Sequence, residues 1–348
     1  MIIRGPFNTL LGYGNCAANI SYGISQLDPN LFISIIGNNP FLTDPNLVDC
    51  IKLGANFEKF NKNDPCLSIW HEFNLIENHI GRGKYFALPF FEINQLDPFR
   101  LHHLQYPDLV IATSTWMQQV LKNYNINSTV VNMGVNTNIF KPDININKNN
   151  EIYKFFNLGK IEVRKGHDIL HEAFDVAFPY QSDVELHIFW ESPVISKEEN
   201  QDWIGKYKSI LGERVYFHPT VPTDQQFADQ IRWLDCGVFP TRAEGFGMPI
   251  LQSLACGKPI ITTDYSAITD FCNKNNAYII PVTEFESAYD GKYFHGQGTW
   301  AKINFDILVD HMRYCYKNRI TINEEGVKTA QKLTWENTCN KIWKLINE

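Results

Sequence analysis

A chain of 348 residues is long enough for two domains, each with a core of its own. Hydrophobic residues make up 44% of it and aromatic residues 14%, which excludes a disordered chain. A formal net charge of -7 removes any global pull toward nucleic acid and leaves only a local basic groove as a route to it.

The first half predicts strands alternating with helices. Ile2 and Ile3 lead to a turn at Gly12-Tyr13-Gly14, followed by helical spacing over 17–26. Strands are expected at 31–36, 66–70 and 85–90, and a buried strand from Asp108 runs to the cap Ser114 of a helix over 115–124. One more strand, 129–133, precedes Gly134. The polar, Asn-rich stretch 143–151 reads as an interdomain linker. Beyond it the alternation restarts, with strands at 154–158, 184–190, 215–217 and 236–239 and helices at 167–178, 201–211 and 224–233. Residues 284–298 show no period and read as a surface insertion, while 304–318 and 335–347 are amphipathic helices. The pattern predicts an α/β fold of two doubly wound, Rossmann-like domains, 1–148 and 149–334, facing across a cleft.

Eight cysteines are scattered without a C-x-x-C pair, several inside apolar runs, as expected of reduced thiols in a cytoplasmic protein. The N-terminus has no signal-peptide pattern and no apolar run approaches the length of a membrane span, which leaves peripheral membrane contact open.

Two segments carry chemistry. In 241–259 (TRAEGFGMPILQSLACGKP), Pro249 suits the first turn of a helix and Gly257 its left-handed stop. Backbone N–H groups at such a helix start attract phosphate, and Glu244 stands one turn earlier as an acceptor for hydroxyls on the phosphate's carrier. That combination describes a nucleotide-sugar site. In 158–168 (LGKIEVRKGHD), Lys160, Arg164 and Lys165 follow a strand and open a helix, where cations neutralise a departing diphosphate. Alone they read equally as a solvated basic loop; the Glu244 segment at the same end of a similar sheet favours the site. Trp70, Phe73, Trp116 and Trp190 read as core, and His102, His103 and His218 as ordinary surface or core histidines without metal-ligand spacing.

From Glu244 to Pro249, at Gly159-Lys160 and Lys165-Gly166, at Gly134-Val135-Asn136 with Phe140-Lys141-Pro142, and at Trp335-Glu336, the chain resembles glycosyltransferase family 4, retaining group 1 enzymes of the GT-B fold. The likeness is specific from about residue 105 onward and looser before it. The resemblance implies transfer of a hexosyl group from a nucleoside-diphosphate sugar to the hydroxyl of a glycan or other acceptor. It implies no bound metal and no further cofactor, in keeping with the lack of an Asp-x-Asp motif. Glu244, Lys165, Lys160 and His71 would then be catalytic, with Glu72 as a substitute for His71. Gly12, Gly14, Arg164, Phe246, Gly247, Met248 and Gln252 would bind the donor. The helix at 335–348 would pack back on the first domain. Two positions depart from the family: Lys160 replaces an arginine, and Gln252 a glutamate. They keep open a catalytically impaired binding or regulatory protein. An acceptor that is a macromolecule, protein or modified DNA, is the other alternative, and the acidic balance disfavours nucleic acid.

Overall fold

A computed structural model of the chain describes residues 1–37, 40–143, 151–189 and 196–348. Trp190 and most of the expected linker lie outside the described residues. Two compact units emerge: Met1–Asn136 with Lys332–Glu348, and Thr137–Gln331.

The first unit runs β1 (Ile2–Gly5), α1 (Gly12–Ser25), β2 (Phe32–Ile35), α2 (Pro45–Gly54), β3 (Cys66–His71), β4 (Tyr85–Phe90), α3 (Pro98–Leu104), β5 (Leu109–Ala112), α4 (Thr115–Lys122) and β6 (Ser128–Val130). Its strands form one parallel sheet in the order β2-β1-β3-β4-β5-β6. The near-continuous apolar run of β4, buried throughout, is what a strand covered on both faces requires. Both α2 and α3 open on an Asp-Pro pair. The Asp44 carboxylate accepts from Asn46 N and that of Asp97 from Arg100 N, while the proline occupies a position that needs no donor.

The second unit runs β7 (Tyr153–Leu158), α5 (His167–Ala177), β8 (Val184–Phe189), α6 (Lys197–Leu211), β9 (Val215–His218), α7 (Asp224–Trp233), β10 (Cys236–Phe239), α8 (Met248–Ala255), β11 (Ile260–Thr263), β12 (Tyr278–Ile280), β13 (Phe285–Tyr289), β14 (His295–Ala301), α9 (Phe305–Lys317) and α10 (Glu324–Ala330). Its main sheet is again parallel, ordered β12-β11-β10-β7-β8-β9. Phe155, Leu186, Ile188 and Val238 from that sheet share one core with Phe174 of α5 and Leu308 and Met312 of α9. Each such side chain contributes about 1.5–3 kcal/mol by leaving water.

The last helix, α11 (Trp335–Asn347), belongs to the first unit. The chain returns there through a bridge between Val135 and Thr334, and the Thr338 hydroxyl donates to Asn132 O at 2.9 Å. The change of unit lies at 136/137 and 331/332, not at 148/149 and 334/335. Residues 139–142 pack on the second unit because Phe140 is buried and Arg232, whose Nε donates to Lys141 O at 2.8 Å, also holds Ile139 O.

Two local expectations are corrected. Residues 284–298 form an antiparallel hairpin, β13–β14, rather than irregular structure; its period is hidden by a register shift between Ser287 and Tyr289 and by three glycines with positive φ. Gly12-Tyr13-Gly14 is the first turn of α1 rather than a turn ahead of it. A side chain at Gly14 would overlap the Asn8 backbone, so glycine is needed there to let the β1–α1 loop fold onto its own helix. A Cβ at Gly12 would meet open space.

Candidate active site

Each main sheet reverses its winding once, between β1 and β3 in the first unit and between β7 and β10 in the second. Ligands of doubly wound sheets bind beyond the carboxyl ends of the strands at such a reversal. The two predicted chemical segments are the loops that leave β7 and β10, so topology alone brings 159–167 beside 240–247.

In the second unit the pairing is direct. Lys165 Nζ donates to Glu244 Oε1 at 2.7 Å, and Arg164 Nη1 stands 3.3 Å from Glu244 Oε2. Burial by itself would raise the Glu244 carboxyl, but Lys165 and then Arg164 outweigh it and hold the group at about 2, fully ionised. The Arg164 guanidinium is buried, with further bonds to Ala243 O at 2.6 Å and Glu162 Oε2 at 3.0 Å. Lys160 Nζ stands 3.9 Å from Oε1 of Glu162, the same carboxylate that holds Arg164, and its side chain is 36% exposed.

Glu244 is gripped through its backbone as well. Its N–H donates to the Ser266 hydroxyl at 2.7 Å, and its carbonyl accepts from Ala267 N. Ser266 adopts a φ of +63°, a strained value for a residue with a side chain. Thr241 adds a hydroxyl bond of 3.2 Å to Glu244 Oε1. Three residues on, Gly247 turns left-handed and caps α8, with Pro249 inside the first turn. The Phe246 side chain is buried against Phe271. Gln252 is buried in the body of α8. Thr241, Arg242 and Ser266 escaped sequence reasoning; only the neighbourhood of Thr241 and Arg242 to Glu244 hinted at them, and Ser266 gave no signal.

In the first unit the reversal gathers Tyr13 and His71. The Tyr13 hydroxyl lies 3.1 Å from His71 Nδ1, and the His71 ring stacks on Phe73 with centroids 4.8 Å apart. Tyr13 was legible only as the residue between two glycines. Trp70, Phe73 and Trp116 are partly exposed rather than core, Phe73 by 36%, because they sit at the strand and helix ends and not within the sheet. His103 is buried and accepts from Ile76 N at 3.3 Å. Glu72, expected to stand in for His71, turns instead to Arg100, whose Nε donates to it at 2.7 Å.

Burial raises the Glu72 carboxyl to about 7 despite the pull of Arg100. A carboxyl raised in the folded state lends stability that is complete below its unfolded value near 4.5 and is lost as pH climbs through about 7. In Glu72→Gln, that decline in the urea midpoint between pH 4.5 and 8 is expected to be smaller than in the parent. Equal declines in the two proteins would remove Glu72 as its source.

His187 and His218 share a 2.8 Å hydrogen bond, with Glu185 on the other His187 nitrogen at 3.1 Å. Among the described residues no group of three or more His, Cys, Asp or Glu side chains is placed to hold a metal ion.

Residues 153–290 match the family model described as Glycosyl transferases group 1. The matched stretch lies within the second unit. That match takes in Lys160, Arg164, Lys165, Glu244 and Gln252, and stops short of Gly12, Gly14 and His71. Among relatives, the chain is 26% identical to the lipopolysaccharide core biosynthesis mannosyltransferase LpsB of Rhizobium meliloti, over 47% of each chain. It is 24% identical to the mannosylfructose-phosphate synthase of Agrobacterium fabrum, over 58% of this chain and 47% of that one. The chain thus spans about half the length of these curated relatives. Among solved structures, the sucrose-phosphate synthase of Thermosynechococcus elongatus superposes with a TM-score of 0.72 at 14% identity, covering 99% of this chain and 98% of that one. HepE of Anabaena, solved with UDP-glucose, gives 0.73 at 13% identity over 99% and 98%. At such identity these likenesses speak for fold, and with two parallel six-stranded sheets the fold of this chain is of the GT-B type.

Proposed function

We propose that the protein is a retaining, metal-independent hexosyltransferase of glycosyltransferase family 4, with donor binding in the second unit and acceptor binding in the first. The observation that carries this reading is the ionised Glu244, paired with Lys165 and Arg164, one turn ahead of the α8 N-terminus. A carboxylate only accepts hydrogen bonds, so Glu244 suits the hydroxyls of a donor sugar. The backbone amides that lead into α8, at Phe246, Gly247 and Met248, precede its hydrogen-bonded turns and suit phosphate. Lys165 and Lys160 would meet the charge of the departing diphosphate, and Gln252 would face the ribose. In the step itself the anomeric carbon–oxygen bond breaks with its electrons on the diphosphate. The acceptor oxygen bonds to the same face of that carbon, and its proton passes to the leaving oxygen.

The named relatives support hexosyl transfer, two of them mannosyl by name, and the HepE complex supports a nucleoside-diphosphate donor. Eight buried, unpaired thiols suit the cytoplasm, and among the described residues no helix is long and apolar enough to cross a membrane.

Thermal unfolding with UDP-glucose, GDP-mannose and ADP-glucose tests the reading. A true donor at a hundred times its dissociation constant adds about 2.7 kcal/mol and raises the midpoint by several degrees, in EDTA as in buffer. Hydrolysis of the same sugar nucleotide is expected to follow, releasing the sugar with its anomeric configuration kept. No shift with any of the three, and no hydrolysis, would overturn the assignment.

A further inference from the structure

Arg242 lies two residues before Glu244, is buried, and holds more partners than any stability argument for a lone side chain needs. Its guanidinium grips Asp168 with two bonds, 2.8 Å to Oδ1 and 2.9 Å to Oδ2. The same group donates to Val163 O and, through Nε, to Glu286 on β13, and it stands over the Trp300 ring of β14 at 5.8 Å. Its backbone completes the set: Arg242 N donates to Arg164 O at 2.7 Å, and Arg242 O accepts from Ala301 N at 3.0 Å.

The placement of these bonds is the point. Val163, Arg164 and Asp168 bracket Lys165 on both sides, so four bonds from Arg242 fix the loop that delivers the lysine. Glu286, Trp300 and Ala301 belong to the hairpin, so the same residue is held from its other side by β13–β14. Only a planar fork satisfies two carboxylates and a carbonyl at once; an ammonium at the end of a lysine reaches one direction at a time. A buried cation with two anions adds little net stability for its desolvation, so its yield is geometry.

We propose that Arg242 is a positioning residue, which sets the Lys165–Glu244 pair by tying its two loops to each other and to the β13–β14 hairpin. Its bearing on sugar transfer rests on the function proposed above; the positioning itself does not.

The test reads Lys165 directly. Whole protein is labelled with the N-hydroxysuccinimide ester of acetic acid, and the acetylation rate of each lysine is followed by peptide mass spectrometry. Lys165 is shielded in the parent, while Lys344, with a side chain 75% exposed, serves as the reference. In Arg242→Lys, Lys165 is expected to react about tenfold faster with Lys344 unchanged. Glu286→Gln, at a site 36% exposed and milder for folding, is expected to give a smaller rise of the same kind. Calorimetric titration with UDP-glucose, or whichever of the three sugar nucleotides binds the parent, should weaken in the same order. In a Glu244→Gln background, Arg242→Lys should weaken it no further. An unchanged Lys165 rate in folded Glu286→Gln and Arg242→Lys, or acceleration of every lysine alike, overturns the proposal. Should the parent bind no sugar nucleotide, the functional reading falls and the labelling result still decides the positioning.

Discussion

Replacing Glu244 by glutamine is expected to lower sugar transfer by about two to three orders of magnitude, the size of effect seen when one preorganised electrostatic group is removed from a reaction centre. The carboxylate is buried, and burial alone would push its proton affinity up; Lys165 and Arg164 reverse this and hold it at about 2. A glutamine keeps the shape and loses the charge. Lys165 and Arg164, with side chains only 13% and 8% exposed, then face each other without their shared anion. Breaking a buried pair in that way costs about 3–5 kcal/mol. The pH dependence separates this cause from simple misfolding. A carboxyl depressed in the folded state lends stability above its unfolded value and loses it as pH falls toward 2. The gap in urea midpoint between parent and variant should therefore be full at pH 7 and shrink steadily below pH about 4.5. A gap that stays constant into acid would show that the ion pair is not its source.

The same residues show why so much of this site was readable and where reading stopped. Segment 241–259 announces itself because a helix start and stop are local events: Gly247, Pro249 and Gly257 act within one turn of their own positions, and each sits as its chemistry demands. Parallel strands such as β4 and β7 are equally plain, being short apolar runs. The meeting of Lys165 with Glu244 spans 79 residues, yet it was inferable, because both loops leave the same end of similar strands. By contrast, the fork of Arg242 joins Asp168 and Glu286, 74 and 44 residues away, with no spacing rule to suggest either. The contact of Tyr13 with His71, 58 residues apart, is of the same kind. The hairpin was missed for a different reason, since its bulge and glycines erase the alternation of two that marks a strand. The Asp-Pro starts of α2 and α3 were present as signals and pass unremarked only because no long apolar period follows them.

Gly166→Ala is expected to be the most damaging small substitution in the second unit, lowering stability by about 2–5 kcal/mol, the sum of a left-handed backbone and an overpacked contact. Gly166 has a φ of +78°, and a Cβ there would overlap the carbonyl oxygen of Pro240. Pro240 begins the loop that carries Glu244, and Gly166 ends the turn that carries Lys165. The missing side chain is thus what lets the two loops touch, and an alanine must push them apart before any ligand is considered. Gly291 provides the comparison, with a φ of +76° and nothing nearer than 3.8 Å to an added Cβ. Gly291→Ala incurs the backbone term alone, about 1–2 kcal/mol. If urea unfolding gives the two variants the same loss, close approach contributes nothing at Gly166 and strain is the whole effect. If Gly166→Ala is the worse by 1 kcal/mol or more and weakens sugar-nucleotide binding while Gly291→Ala does not, the contact with Pro240 is a condition for assembling the Lys165–Glu244 pair.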